Sequence, residues 1–420
     1  MPPILGLCSG DPTSRRSFSG SARQLFLALD GLGSLAGAVD VDLSRPASLA
    51  TRALELVRSR RAPAHRLRAR WSPLAVELRS ARAERSLARS EADAVLMYGT
   101  DFFPAARGAR AALPVGAALD ATFAQIARAG EHDFGRLTPL EVEACVAQQR
   151  DILERCTVLF PRTRWCAASL EEDYGIPHER LVVTGAGTNF DLDLPERAPH
   201  DGRTVLFVGR DWQRKNGPLV LDAFRIARKA RPDLRLQVIG PAGLAVDEPG
   251  VEWVGALDGE RRDELQRRYL EASLFLCPSR FEPFGIAILE AMSAGCPAVA
   301  LDRGAAREII DDGVTGSLLR DDEPAALAEV ILSWTSDLHR LESAGARARR
   351  VVEEKWGWDR AALRVEEGLH SGGLGPVLTP KGTRTRRWST PVEPPRAGDA
   401  RSLTRAPRGP EPAELAEGAK

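Results

Sequence analysis

Short apolar runs alternate along most of the chain with longer segments of helical composition, the pattern of repeated β-α units that build parallel sheets. In the first half the strand candidates are Ile4–Cys8, Ala38–Val41, Ala94–Met97, Val115–Ala118, Thr157–Phe160 and Leu181–Thr184. Gly185-Ala186-Gly187-Thr188-Asn189 follows, and then a polar, proline-containing stretch, Leu194–Arg203, that reads as a linker. A second series starts afresh, with strands expected at Val205–Val208, Arg235–Ile239, Val251–Val254, Leu274–Cys277, Ala298–Leu301 and Gly316–Leu318. Helices are expected between them at Pro218–Lys229, Arg261–Leu270, Gly285–Ser293 and Pro324–Ser333. Two successive doubly wound units leave a cleft between them, and such sheets bind ligands at the carboxyl ends of their strands.

The sequence therefore divides into a domain over residues 1–195, a second over 196–355, a returning helix within 356–370, and a tail over 371–420. The last 50 residues hold eight prolines, seven glycines and the patch Arg384-Thr385-Arg386-Arg387, with little apolar periodicity, and read as disordered. Composition removes whole classes of function. Lys+Arg and Asp+Glu are both 58 in 420 residues, a balance that argues against a surface built to hold nucleic acid. No apolar run approaches the roughly 20 residues of a bilayer crossing, and Met1–Leu7 lacks the basic region of a secretory signal. Six scattered cysteines (8, 145, 156, 166, 277, 296), without a C-x-x-C pair, read as free thiols of a cytoplasmic protein. Six histidines without H-x-x-x-H spacing give no metal site. Arg52–Arg89 carries eleven arginines against Glu55, Glu77 and Glu84, with Glu91 just beyond; this is the composition of a solvated helical hairpin, and one that also suits a peripheral contact with anionic lipid headgroups.

Two segments carry chemistry. In Pro278–Met292, Pro283 and Gly285 sit where the strand ending at Cys277 should turn into a helix, so the unpaired backbone N–H groups and positive dipole end of that helix would point into the cleft, which suits a phosphate. Glu282 and Glu290 bracket that turn eight residues apart, and carboxylates are natural partners for the vicinal diols of sugars. In Val208-Gly209-Arg210-Asp211-Trp212-Gln213-Arg214-Lys215-Asn216-Gly217, Arg210 and Lys215 lie at the carboxyl end of a strand, a fork and a point charge suited to a diphosphate. Lys215 is one of only 5 lysines beside 53 arginines, which makes its position here more informative.

The E-x7-E element of Glu282 and Glu290, the Gly-Arg-x4-Lys element, Val238-Ile239-Gly240-Pro241 and Gly313-Val314-Thr315-Gly316 resemble the retaining glycosyltransferases of family 4. The likeness is weaker over the first half, where Trp165–Leu170 and Asp173-Tyr174-Gly175 fit. The resemblance implies an α/β chain of the GT-B fold, two doubly wound Rossmann-like domains facing each other across a cleft. It implies a metal-independent hexosyltransferase without a cofactor, moving a hexose from a nucleotide-diphosphate sugar to an acceptor hydroxyl with retention. Arg210 and Lys215 would hold the diphosphate, Glu290 the ribose and Glu282 the transferred hexose, and the backbone N–H groups of Phe284, Gly285 and Ile286 would meet sugar and phosphate. The glycine-rich loop of the first domain would be Ser17-Phe18-Ser19-Gly20-Ser21, with Gly20 and Ser21 facing the donor. Asp120 and His132 would face the acceptor, and the helix after Trp356-Gly357 would return to the first domain.

Three rival readings remain. A nicotinamide dehydrogenase would need G-x-G-x-x-G, and Gly185–Phe190 fails at its last position. A catalytically silent GT-B protein would bind a nucleotide sugar or glycan without transfer. A GT-B epimerase or phosphorylase is the third.

Overall fold

A computed structural model of the chain describes residues 3–15, 17–58, 69–105, 108, 111–130, 134–190, 197–240, 243, 247–257 and 261–372. His132, Pro241, residues 194–196 of the Leu194–Arg203 linker and the tail beyond residue 372, with Arg384–Arg387, lie outside those residues.

Two parallel sheets organise the described chain. The first takes β1 (Ile4–Cys8), β2 (Leu35–Asp40), β3 (Ala94–Tyr98), β4 (Val115–Leu119) and β5 (Val158–Pro161) in the order β2-β1-β3-β4-β5. The second takes β6 (Thr204–Val208), β7 (Arg235–Ile239), β8 (Val251–Gly255), β9 (Leu274–Cys277), β10 (Ala298–Leu301) and β11 (Gly316–Leu319) in the order β11-β10-β9-β6-β7-β8. Every pairing is parallel. Helices cover both faces, so the central strands are buried throughout and read as continuous apolar runs.

The strand orders decide where ligands can go. In the first sheet the winding reverses between β1 and β3, and in the second between β6 and β9. The loops after those strands diverge at the reversal and leave a crevice at the carboxyl ends. Gly20, Gly209–Gly217 and Pro278–Gly285 all stand on such loops.

Most expected elements are present with ends shifted by one to three residues, and two differ in kind. Leu181–Thr184 is not a strand. It runs beside β5 through Val182 N–H to Leu159 and Thr184 N–H to Pro161, but the pairing amounts to one isolated bridge, Leu159 with Leu181, and a helix packs against it. That helix is Trp358–Ser371. It packs on the helix Ser21–Gly31 through Ala361, Ala362, Val365 and Leu369. Arg364 donates to the Thr184 carbonyl at 2.8 Å, Trp358 Nε1 to Thr188 at 2.8 Å, and Ser34 to Glu366. The second difference is the 18-residue helix Leu338–Lys355, which the strand-by-strand reading passes over. Leu341, Ala344, Ala348 and Val352 make its buried stripe.

Among the described residues all six cysteines are free thiols, and no helix is long and apolar enough to cross a membrane. The arginine-rich region forms the helices Arg45–Arg58 and Pro73–Ala88, whose connection includes undescribed residues.

Candidate active site

The reversal between β6 and β9 sets two loops side by side that are 67 residues apart in sequence. Lys215, on the loop after β6, pairs with Glu282 on the loop after β9, and both side chains are largely buried. Ser279 donates to the same carboxylate oxygen at 2.9 Å. Burial alone would push the Glu282 carboxyl up, but the Lys215 ammonium and then Arg214 outweigh it and hold the group below the usual carboxylate range. Burial likewise opposes the Lys215 charge, and Glu282 reverses the effect, so the ammonium is held above its ordinary value. Both groups are therefore charged at neutral pH.

Arg214 fastens the two loops together. Its guanidinium donates to the Phe281 carbonyl at 3.0 Å, and its own carbonyl accepts from Arg280 N–H at 3.0 Å. Trp212 packs between Phe207 and Trp253, with ring centroids 5.5 Å apart in each case, and anchors the first loop from below. Arg210 stands at the exposed end of this loop. Arg214 and Ser279 were not singled out from sequence. An arginine beside a lysine and a serine three residues before a glutamate are too common to stand out.

Glu290 stands elsewhere. It lies in the helix Ile286–Ser293, almost fully buried, where Arg262 reaches one oxygen at 3.2 Å and Tyr269 the other at 3.4 Å. Burial raises its pKa, opposed by Arg262, by the Asn189 backbone N–H and by Tyr269. The sequence placed Glu290 toward the ligand by helical geometry alone; the structure surrounds it with protein partners that the E-x7-E spacing does not reveal.

The same helix begins without a side-chain cap. Gly285, at φ +97°, supplies the left-handed residue at its N-cap, Phe284 is buried before it, and Ile286 is half-buried after it. The first lobe presents a comparable feature. Phe18, Ser19 and Gly20 are three successive residues at φ +48°, +57° and +88°, and they lead into the helix Ser21–Gly31, which again has no side-chain cap. Among the described non-glycine residues only Phe18, Ser19 and Asn216 have positive φ, and all three stand on these cleft loops. Ser21 is buried at the first helical position.

Asn189 joins the two lobes' loops. Its side-chain amide donates to Ser19 O at 2.8 Å, and its backbone N–H reaches Glu290. Gly185–Phe190 is thus a non-helical connector, with Phe190 packed on Tyr269 at 5.6 Å. Residues 185–190 themselves are not helical, whereas a dinucleotide-binding G-x-G-x-x-G runs into the first turn of a helix, which counts against the dehydrogenase reading together with the failed last position.

Asp120 follows β4 and is open to water on the cleft wall. The surrounding protein raises its pKa, and the Glu282 charge adds to the rise, which puts this first-lobe carboxylate within electrostatic reach of the pair in the second lobe. A further inter-lobe contact was not expected from sequence. Glu308 accepts from Arg164 N–H at 2.9 Å and Trp165 N–H at 2.8 Å, closing the start of the helix Arg164–Glu172 from the opposite lobe. Beside it Trp165 meets Phe281, the residue before Glu282, at 5.9 Å. Among the described residues no group of three or more His, Cys, Asp or Glu is placed to hold a metal ion.

The comparisons with known proteins agree with this geometry. The family description "Glycosyl transferases group 1" matches residues 202–337, which include both second-lobe loops. The D-inositol 3-phosphate glycosyltransferase of Thermobispora bispora is 31% identical over 247 residues, 53% of this chain and 58% of that protein. The Bacillus subtilis spore coat protein SA is 30% identical over 253 residues, 54% of this chain and 67% of that protein. The chain spans 53% to 58% of the length of the first curated relatives it matches. Among solved structures, sucrose-phosphate synthase from Thermosynechococcus elongatus superposes with a TM-score of 0.64 at 18% identity, over 88% of this chain and 98% of that one. Anabaena Alr3699/HepE in complex with UDP and glucose superposes at 0.58 and 16% identity, over 88% of this chain and 100% of that one. The fold is the GT-B arrangement of two Rossmann-like units.

Proposed function

The chain belongs to the group 1 glycosyl transferases, and from that premise we propose that it transfers a hexose from a nucleotide-diphosphate sugar to an acceptor hydroxyl with retention at the anomeric carbon. The buried Lys215–Glu282 pair carries the reading. It sets a fixed cation and a fixed anion side by side at a strand-end crevice, next to an uncapped helix start.

Rupture of a sugar–phosphate bond builds positive charge on the sugar ring and negative charge on the leaving diphosphate. Lys215 has three N–H donors, of which Glu282 takes one, so the ammonium can also meet a phosphate oxygen. Arg210 stands on the same loop for the second phosphate, and the N–H groups of the Phe284–Ile286 turn complete the cradle. Glu282, ionised at neutral pH, accepts from hexose hydroxyls. The Gly20–Ser21 turn faces the donor from the first lobe, and Asp120 faces the acceptor. Retention with no enzyme nucleophile requires the acceptor to attack from the side on which the diphosphate departs, and the departing phosphate is the base for its proton. Glu290 has Arg262, Tyr269 and the Asn189 N–H as partners, fewer than the roughly four lone-pair sites of a carboxylate, and so keeps acceptor capacity for ribose hydroxyls. The domain limits at 195, 355 and 370, a peripheral contact of the arginine-rich hairpin with anionic lipid, and a cytoplasmic site of action belong to this proposal.

A thermal-shift panel of UDP, GDP and ADP sugars tests it, because a ligand that binds only the folded state raises its melting point. Labelled-sugar transfer from the donor that binds separates an enzyme from a silent binding protein. A protein that no member of the panel stabilises is not a nucleotide-sugar enzyme.

A further inference from the structure

Arg162 follows β5, and only 3% of it is exposed. Its guanidinium lies among three rings, 5.2 Å from the centroid of Tyr98, 4.9 Å from Trp358 and 5.9 Å from Phe284. One N–H donates to the Tyr98 hydroxyl. Among the described residues no carboxylate stands within ion-pair distance of it. Burial lowers its pKa to about 9, with only the Cys166 thiol opposing, so the group still carries its charge at neutral pH.

Burying a cation without an anion opposes folding strongly, and ring faces offset only part of that. A second buried arginine, Arg79, and the half-buried Arg197 are compensated differently. Arg79 has Asp42 at 2.9 Å, and Arg197 gives its N–H groups to the carbonyls of Tyr269, Ala272 and Ala294. Arg162 is also placed where an anion is expected. Tyr98 carries Phe18 on its ring at 4.9 Å, in the left-handed turn before Ser21. Phe284 directly precedes Gly285 at the other uncapped helix start. The guanidinium thus lies between the two turns that face each other across the cleft.

We propose that Arg162 is a donor-positioning residue whose missing counter-ion is the diphosphate of the nucleotide sugar, held between the Phe18–Ser21 and Phe284–Ile286 turns. The inference rests on the function proposed above. Arg162 acts through a low-dielectric floor, where a full charge is screened less than at a surface, and it adds to the two helix starts rather than replacing Lys215.

The test is calorimetric titration of UDP, GDP and ADP, and of the corresponding nucleosides, into wild type, Arg162→Met and Arg162→Lys, with the melting temperature of each protein. Loss of the charge should weaken the diphosphate that binds wild type by roughly tenfold or more. Nucleoside affinity should be unchanged, the Met variant should melt no lower than wild type, and Lys should keep diphosphate affinity within about threefold. Should the Met variant fail to fold, Arg162→Gln takes its place, retaining a donor for Tyr98 without the charge. Diphosphate affinity equal to wild type in a folded neutral variant overturns the proposal, as does an equal loss in the Lys and neutral variants, which would assign the effect to shape. If wild type binds none of the three diphosphates, the function proposed above falls together with this inference; if it binds one and the neutral variant binds equally, only this inference falls.

Discussion

In the second lobe the loops at the sheet reversal are held by charged side chains that bond to one another, Lys215 to Glu282 and Arg214 to the facing backbone. In the first lobe the loop after β1 is held by backbone conformation, three left-handed residues and an amide from Asn189. The sheets differ in strand number and order, yet each reverses its winding once and each lobe offers an uncapped helix start to the cleft. The difference lies in what can be altered. A side-chain device can be removed one charge at a time, whereas a backbone device changes only when its geometry is strained. The family match is confined to the lobe with the side-chain device, which is also where the sequence motifs stood out.

The largest effect expected from this contrast is on rate. Lys215→Ala should lower sugar transfer by on the order of 10²–10³, the loss associated with one donor to a developing anion. Turnover near that of wild type would detach the second-lobe loop from the chemistry. The same substitution leaves Glu282 without its main partner, so melting should be measured alongside rate.

Next in size is the stability of the pair itself. Removing one member of a buried ion pair costs about 3–5 kcal/mol, and Glu282→Gln should fall near the lower end because both side chains keep some solvent contact. The double variant Lys215→Met/Glu282→Gln should recover part of that loss, and a fully additive cycle would mean the two groups do not interact. Their pKa shifts set the pH window. Because folding depresses Glu282, its contribution is complete above the ordinary carboxylate range and is lost as pH falls through the depressed value. Because folding raises Lys215, its contribution is complete below the ordinary lysine range and is lost as pH climbs through the raised value. The melting difference between wild type and the double variant should therefore be flat at neutral pH and shrink at both extremes.

In the first lobe Gly20→Ala sharpens the comparison. It places a Cβ on a residue at φ +88° and 3.3 Å from the Arg15 carbonyl oxygen, a strain of about 1–2 kcal/mol that urea unfolding would register. An unchanged midpoint would show that the turn relaxes at no cost.

The smallest effect is expected where the lobes meet. Glu308→Gln keeps one acceptor oxygen for the N–H groups of Arg164 and Trp165, and should cost about 1 kcal/mol, the scale of a helix cap. A loss several times larger would make this contact a main tie between the lobes.

How much of the site was legible depended on sequence distance. Lys215, Glu282 and Gly285 stood out because the residues that define each motif are neighbours and lie where a strand gives way to a helix. Gly20 was weaker for the same kind of reason, a lone glycine in a turn whose geometry is shared with Phe18 and Ser19. Arg162, Glu308 and Asn189 carried no local sign at all. Arg162 is one of 53 arginines, and only folding sets it among Tyr98, Phe284 and Trp358. The tail and His132 lie outside the described residues, so the expectations made for them stay as they were.

The sequence by itself determined the alternation of strands and helices, the two doubly wound units and the loops on which the charged residues stand, because each depends on periodicity and turn residues within a few positions. Tertiary structure alone decided that β6 lies beside β9 and so unites Lys215 with Glu282, that Arg262 and Tyr269 enclose Glu290, and that the helix Arg164–Glu172 is closed by a glutamate from the other lobe. Those contacts join residues from 21 to 144 positions apart, and at such separations no periodicity in the chain records which side chains will meet.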